Sequence, residues 1–166
     1  MKKSISYWSF SGKNVFEAMR LAKDAGFDGI ELTLDAEGDV TMETAPEEIG
    51  IALPSVASSL YWAYSFTSDD PEEREKAHQA AVCEIKTAKA LGADTVLIVP
   101  GSVSVEFVPE RPVVAYDVCW QRAVAEMKRA PDSHRRGERM EQVPALSAGD
   151  ARVYRRDRKR VDRLVL

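Results

Sequence analysis

The chain has 166 residues, 45% hydrophobic and 30% charged, with a formal net charge of −4. This is the composition of a soluble globular domain long enough to bury a core. It contains no apolar run of membrane-spanning length. The opening MKKSISYWSF lacks the apolar stretch of a secretory leader, so a cytoplasmic location is expected. The net charge conceals a division. Residues 129–166 carry 11 Lys and Arg against 6 Asp and Glu, a net +5, which leaves −9 on residues 1–128. Cys83 and Cys119 have neither the spacing nor the neighbours of a metal knuckle or redox pair, and read as buried free thiols.

Strand and helix patterns alternate along the first part. Residues 4–10 are a short β-prone run with Ile5, Tyr7 and Trp8, broken by Ser11-Gly12. Residues 14–25 form a helical pattern, with Val15, Met19 and Ala22 on one stripe and Leu21 and Ala25 beside it. Gly26 follows at the position where glycine ends helices. Residues 29–34 (GIELTL) are the second strand, and residues 51–60 (IALPSVASSL) the third with its exit. Only 16 residues separate these two strands, and the helical part spans about 44–49, so a stunted second helix is expected.

Asp69-Asp70-Pro71-Glu72-Glu73 is a strong helix start: a capping Asp, Pro in the first turn, and acids at the positive end of the dipole. Ala77, Ala81, Ile85, Ala88 and Leu91 give this helix one apolar face, while His78, in a charged stretch, reads as solvated. Residues 95–99 (TVLIV) are apolar on both faces, as suits a parallel strand covered on both sides. Residues 113–128 form a last helix with Tyr116, Trp120, Ala123 and Met127 on one stripe. Alternation of this kind specifies a parallel α/β sheet, either a barrel or doubly wound. No GxGxxG follows the first strand and no GxxxxGK[ST] occurs, so a nucleotide-binding reading has no support.

Three stretches, AKDAGFDGIEL (22–32), IALPSVASSLYWAYSFTSDDPEEREKA (51–77) and AKALGADTVLIVPGSV (88–103), together resemble the xylose isomerase-like TIM barrel family, and within it the sugar phosphate isomerases/epimerases. The resemblance covers about residues 3–128. It implies a partial (β/α)8 TIM barrel, an α/β fold with the first four βα units only, followed by an irregular basic tail over residues 129–166 that is expected to be disordered.

Family chemistry is proton transfer next to a sugar carbonyl, between two glutamates, with a divalent metal (Mn, Mg, Co or Zn) polarising the sugar oxygens. The family's metal ligands lie on the fifth and later strands. No metal ligand or catalytic residue is therefore expected in this chain, which should bind no metal and be inactive alone. What the resemblance does place here is the substrate-side wall for a sugar or sugar phosphate. Trp8 follows strand 1, Glu31 lies on strand 2, Tyr61 and Trp62 follow strand 3, and Pro100 follows strand 4. A bland reading stands beside each: Glu31 as a buried acid paired with a barrel cation, the aromatics as rim packing. Endonuclease IV shares the barrel, but its metal cluster uses many histidines, and residues 1–128 contain only His78.

The basic tail has no aromatic platform beyond Tyr154 and no charged face, so no nucleic-acid partner is expected, nor a membrane. Reverse translation explains it differently. Gly137 to Val143 (GERMEQV) is encoded as GGN GAR CGN ATG GAR CAR GTN when Arg139 uses its six-codon family's CGN set. Read one base later, those bases can spell Glu, Asn, Val, Trp, Asn, Lys, Phe, and the continuation through Arg152 permits Leu, Leu, Ser, Pro, Leu, Glu, Met, Arg. ENVWNKFLLSPLEMR resembles the family's fifth-strand motif, with its metal-binding glutamate first. A change of frame near residues 129–134 is the expectation, and His134 is assigned nothing. Half a barrel would leave strands 1 and 4 with open edges, so homo-oligomers or aggregates are expected.

Overall fold

The computed structural model describes residues 1–35, 39–41, 44, 49–106, 111–136 and 153–154. Strands β1 (Ser4–Ser6), β2 (Gly29–Leu34), β3 (Ser55–Ser58) and β4 (Thr95–Leu97) are parallel and lie side by side in chain order. Helix α1 (Val15–Asp24) joins β1 to β2, α2 (Pro71–Ala90) joins β3 to β4, and α3 (Tyr116–Arg136) follows β4. Strand order without reversal is that of a (β/α)8 barrel; a doubly wound sheet would reverse it at its switch point. The fold is thus α/β, a partial TIM barrel.

The helix starts follow local chemistry. Asn14 Oδ1 accepts from the Glu17 N–H at 2.9 Å, and the Glu17 carboxylate accepts from the Asn14 N–H at 3.2 Å, a reciprocal capping box. Asp70 Oδ1 accepts from the Glu72 N–H at 2.9 Å to open α2, with Pro71 as its first residue. Gly26 closes the α1 turn at φ +80°, where a side chain would be strained.

Strand register sorts the sheet into two faces. Ile5 lies opposite Ile30, Leu32 opposite Val56, and Val56 opposite Val96. These residues share the helix-facing side, where Ile30, Leu32, Val56 and Val96 pack with Val15, Met19, Ala81 and Ile85. The other face, the inner face of a barrel, carries Ser6, Glu31, Thr33, Ser55, Ala57 and Leu97 by the same registers. It is small and polar where the helix side is apolar.

Several sequence expectations change. The first strand is only three residues long, because residues Tyr7–Ser9 turn into a single 3₁₀ turn. The third strand is confined to Ser55–Ser58; Ala52 makes only an isolated bridge to Gly29, and a second 3₁₀ turn begins at Leu60. His78 is not on a solvated face but 1% exposed. Helix α2 is covered twice, by the sheet and by α3, and His78 lies with Nδ1 3.7 Å from the Glu126 carboxylate of α3.

The buried stripe of α3 is Cys119, Ala123 and Met127, whereas Tyr116 and Trp120 are 70% and 57% exposed. Half of the expected stripe, Ala123 and Met127, is thus buried, and in its N-terminal half Cys119 takes the place of Tyr116 and Trp120; ion pairs from Arg129 to Glu75 (2.5 Å) and from Arg122 to Asp69 (2.7 Å) accompany the docking on α2. Helix α3 also runs past residue 128, to Arg136. A two-residue strand β5 (Val153–Tyr154) pairs antiparallel with β4, Tyr154 opposite Val96, so β4 does not have the open edge expected of it. Cys119 is buried as expected, whereas Cys83 is only partly so. The short helix expected at about 44–49 falls largely outside the described residues, as does most of the tail.

Candidate functional site at the strand C-termini

The loops leaving the C-terminal ends of the strands are tied together in pairs. On the β1–β2 side, the Tyr7 hydroxyl donates to the Lys13 carbonyl at 2.8 Å and to Asp39 Oδ1 at 3.1 Å, while Asp39 Oδ2 accepts from the Val15 N–H at 2.5 Å. Burial, and then the Asp39 carboxylate, push the Tyr7 phenol up to about 12. On the β3–β4 side, Thr67 Oγ1 donates to the Ser102 carbonyl at 3.1 Å. Arg111 donates to the carbonyls of Trp62 (3.2 Å) and Ala63 (2.8 Å) and pairs with Glu73 at 2.9 Å. Gly101, at φ +140°, sits so close to Thr67 that a Cβ there would lie 2.2 Å from its Cγ2. Only glycine permits that approach.

Within this frame the expected wall residues occupy different settings. Trp8 is on the first 3₁₀ turn and 37% exposed, the most accessible of the aromatic candidates. Glu31 is half-buried on the inner face, and its partner among the described residues is the Ser55 hydroxyl, which donates at 2.7 Å, rather than a cation. Trp62 is buried and Pro100 half-buried, both on the loop pair that Arg111 and Thr67 tie together. Tyr61 is buried in the helix-side core, where its hydroxyl donates to Glu84 and its ring lies 5.4 Å from that of Phe66. The Tyr61 hydroxyl is thus engaged away from the inner face. Glu31 and Trp8 lie toward β1 and β2, Trp62 and Pro100 toward β3 and β4.

Sequence reading missed Glu84 and Arg111. Glu84, at 0% exposure in the middle of α2, accepts from the Leu97 N–H at 3.1 Å with one carboxylate oxygen and from Tyr61 with the other. It joins α2, β4 and the exit of β3. Burial pushes its carboxyl well above the usual range, with Glu31 adding to this, although the bonds from Tyr61 and Leu97 pull the other way. The Tyr61 phenol is likewise raised, by burial first and Glu84 second. For Glu84 the spacing was the available signal: it falls seven residues after Ala77, three after Ala81 and four before Ala88, on the buried stripe of α2. Ser6, Thr33 and Ser55 were also missed, although alternation along GIELTL places Thr33 beside Glu31.

The described residues bring together no three His, Cys, Asp or Glu side chains that could hold a metal ion. Glu31 on the inner face is engaged by Ser55, and Glu84 on the helix side by Tyr61 and Leu97. This donor set does not fit a divalent metal.

The sequence pattern of the xylose isomerase-like TIM barrel family matches residues 19–139. No curated protein is significantly similar to the chain. Among solved structures, an L-ribulose 3-epimerase superposes with a TM-score of 0.61 at 18% identity, over 82% of this chain and 47% of its own. A D-allulose 3-epimerase from Methylomonas sp. superposes with a TM-score of 0.58 at 23% identity, over 82% and 48%. The same enzyme in complex with D-allulose gives 0.59 at 22%, over 81% and 47%. At these identities the likeness is one of fold, and the chain spans about half the length of each neighbour. With the family pattern running across most of the sequence and the strands ordered as in the first half of a barrel, the chain belongs to the xylose isomerase-like TIM barrel family.

Proposed function

We propose that this chain forms the substrate-side wall of a sugar isomerase/epimerase site, and that a divalent metal and the proton-exchanging carboxylates of such a site lie outside its four βα units. The ligand would be a small ketose or its phosphate, held at the C-terminal ends of the strands by Trp8, Glu31, Trp62 and Pro100, with Tyr61 acting through its packing. The observation that carries this reading is the inner face, polar and charged beside the loops that hold the tryptophans, in a sheet otherwise packed by apolar contacts. In a site of this type the wall would bind and orient the sugar and exclude water.

The test is direct. The purified chain is titrated with D-allulose by tryptophan fluorescence and assayed for ketose epimerisation with Mn²⁺, Mg²⁺, Co²⁺ or Zn²⁺. Saturable, millimolar binding without turnover is the expected result. Absence of binding would remove the wall, and metal-dependent turnover would show that the chemistry resides in this chain after all.

A second reading, a non-catalytic remnant of such an enzyme, is favoured by the codon pattern of residues 137–152. The family match ends at residue 139, just inside the stretch whose frame is in question.

A further inference from the structure

Buried hydroxyls in this protein are partnered almost everywhere. Ser58 Oγ accepts from the Leu60 N–H, and Ser59 Oγ donates to the Leu34 carbonyl. Ser65 and Thr67 share a bond, Thr67 also donates to Ser102, and Ser55 donates to Glu31. The inner face of β1 and β2 breaks the pattern. Thr33, 1% exposed, has a buried hydroxyl without a partner among the described residues, and so has Ser6. Both hydroxyls belong to one place. Ser6 lies opposite Glu31, Thr33 is two residues further along the same face, and the two stand at the last and next-to-last positions of their strands. That is the end of the sheet from which the Trp8 turn departs.

A buried hydroxyl without a partner destabilises the fold, and valine would fill Thr33's place without that cost. Two such groups on one face with a carboxylate offer donors and acceptors that a polyhydroxylated molecule would satisfy, since each sugar hydroxyl both donates and accepts. Glu31 can accept, and Ser6 and Thr33 can do either.

We propose that the Ser6 and Thr33 hydroxyls, on the same face as Glu31, form a hydroxyl-reading floor that sets specificity for a polyol-like sugar approaching along the C-terminal ends of β1 and β2. The proposal rests on the substrate-wall reading above and adds to it the residues that select the ligand.

The experiment compares wild-type chain with T33V, T33S and S6A, using D-allulose as the probe, and follows both affinity and thermal unfolding. T33V keeps the shape and removes the hydroxyl; T33S keeps the hydroxyl. The expected result is a loss of about fivefold to tenfold in affinity for T33V and for S6A, the worth of one neutral hydrogen bond. T33S should stay near wild type, and T33V should melt no lower than wild type. Wild-type affinity in T33V would overturn the floor while leaving the wall intact. Failure of the wild-type chain to bind D-allulose would overturn the wall, and the floor with it.

Discussion

Glu84 offers a sharp test of how this half-barrel is held together, because its carboxyl is buried between α2 and the sheet and raised well above the usual range. The sign follows from proton linkage. Below the ordinary carboxyl value of 4.5 the group is protonated in both the folded and the unfolded chain. As pH rises above that value the unfolded chain releases the proton while folded Glu84 keeps it, so the unfolded state is favoured and stability falls until the folded value is passed. The slope attributable to this one group approaches about 1.4 kcal/mol per pH unit. Every other titrating group is common to both proteins, so the informative quantity is the difference between wild type and E84Q.

Glutamine keeps the geometry, with its oxygen able to accept from Leu97 and its amide able to donate to the Tyr61 oxygen, and it cannot ionise. Urea unfolding from pH 5 to 8 should show E84Q gaining on wild type as the pH rises, with a slope of at most about 1.4 kcal/mol per pH unit. In a chain of this size each kcal/mol corresponds to about 2–4 °C in Tm. Y61F, which removes the donor and leaves the carboxyl short of a partner, should lose about 1–3 kcal/mol at pH 5. A difference curve that stays flat between pH 5 and 8 would refute the reasoning: Glu84 would then titrate like an exposed carboxyl, and the buried bridge would not exist.

Three other outcomes are expected. G101A should cost at least about 2 kcal/mol in urea unfolding, since it meets both an unfavourable backbone angle and the Thr67 side chain, and T67S should recover only part of that loss. D70A removes the cap that opens α2 and should cost about 1 kcal/mol with a matching fall in Tm. Resequencing the gene from codon 120 onward should find, one base out of the present frame, a continuous reading through Glu-Asn-Val-Trp; codons that spell no such strand would end the frame-change explanation of the basic tail.

Much of the fold was legible because it depends on local rules. The start of α1 at Asn14, the Asp70 cap and the glycine after α1 are short-range effects and lie within a residue of where the pattern placed them; the order of strands and helices follows too, although β1, β3 and the last helix differ in length from the pattern. Family membership was legible for the same reason, as it rests on the order and spacing of those units. The places of Trp8, Trp62 and Pro100 just beyond their strands, and of Glu31 on β2, were legible because they follow from the order of the elements.

What the tertiary structure alone decided are the contacts between elements distant in sequence. Periodicity marks the apolar face of α2, but only the docking of α3 buries His78. Of the stripe read on α3, only the docking against α2 shows that Ala123 and Met127 are buried while Tyr116 and Trp120 are exposed. The spacing puts Glu84 on the apolar stripe of α2, but only β4 and the exit of β3 supply the partners of its carboxyl, Leu97 and Tyr61. Burial and hydrogen-bond satisfaction belong to the three-dimensional neighbourhood, so a one-dimensional pattern states where a side chain is attached and the packing states what it meets.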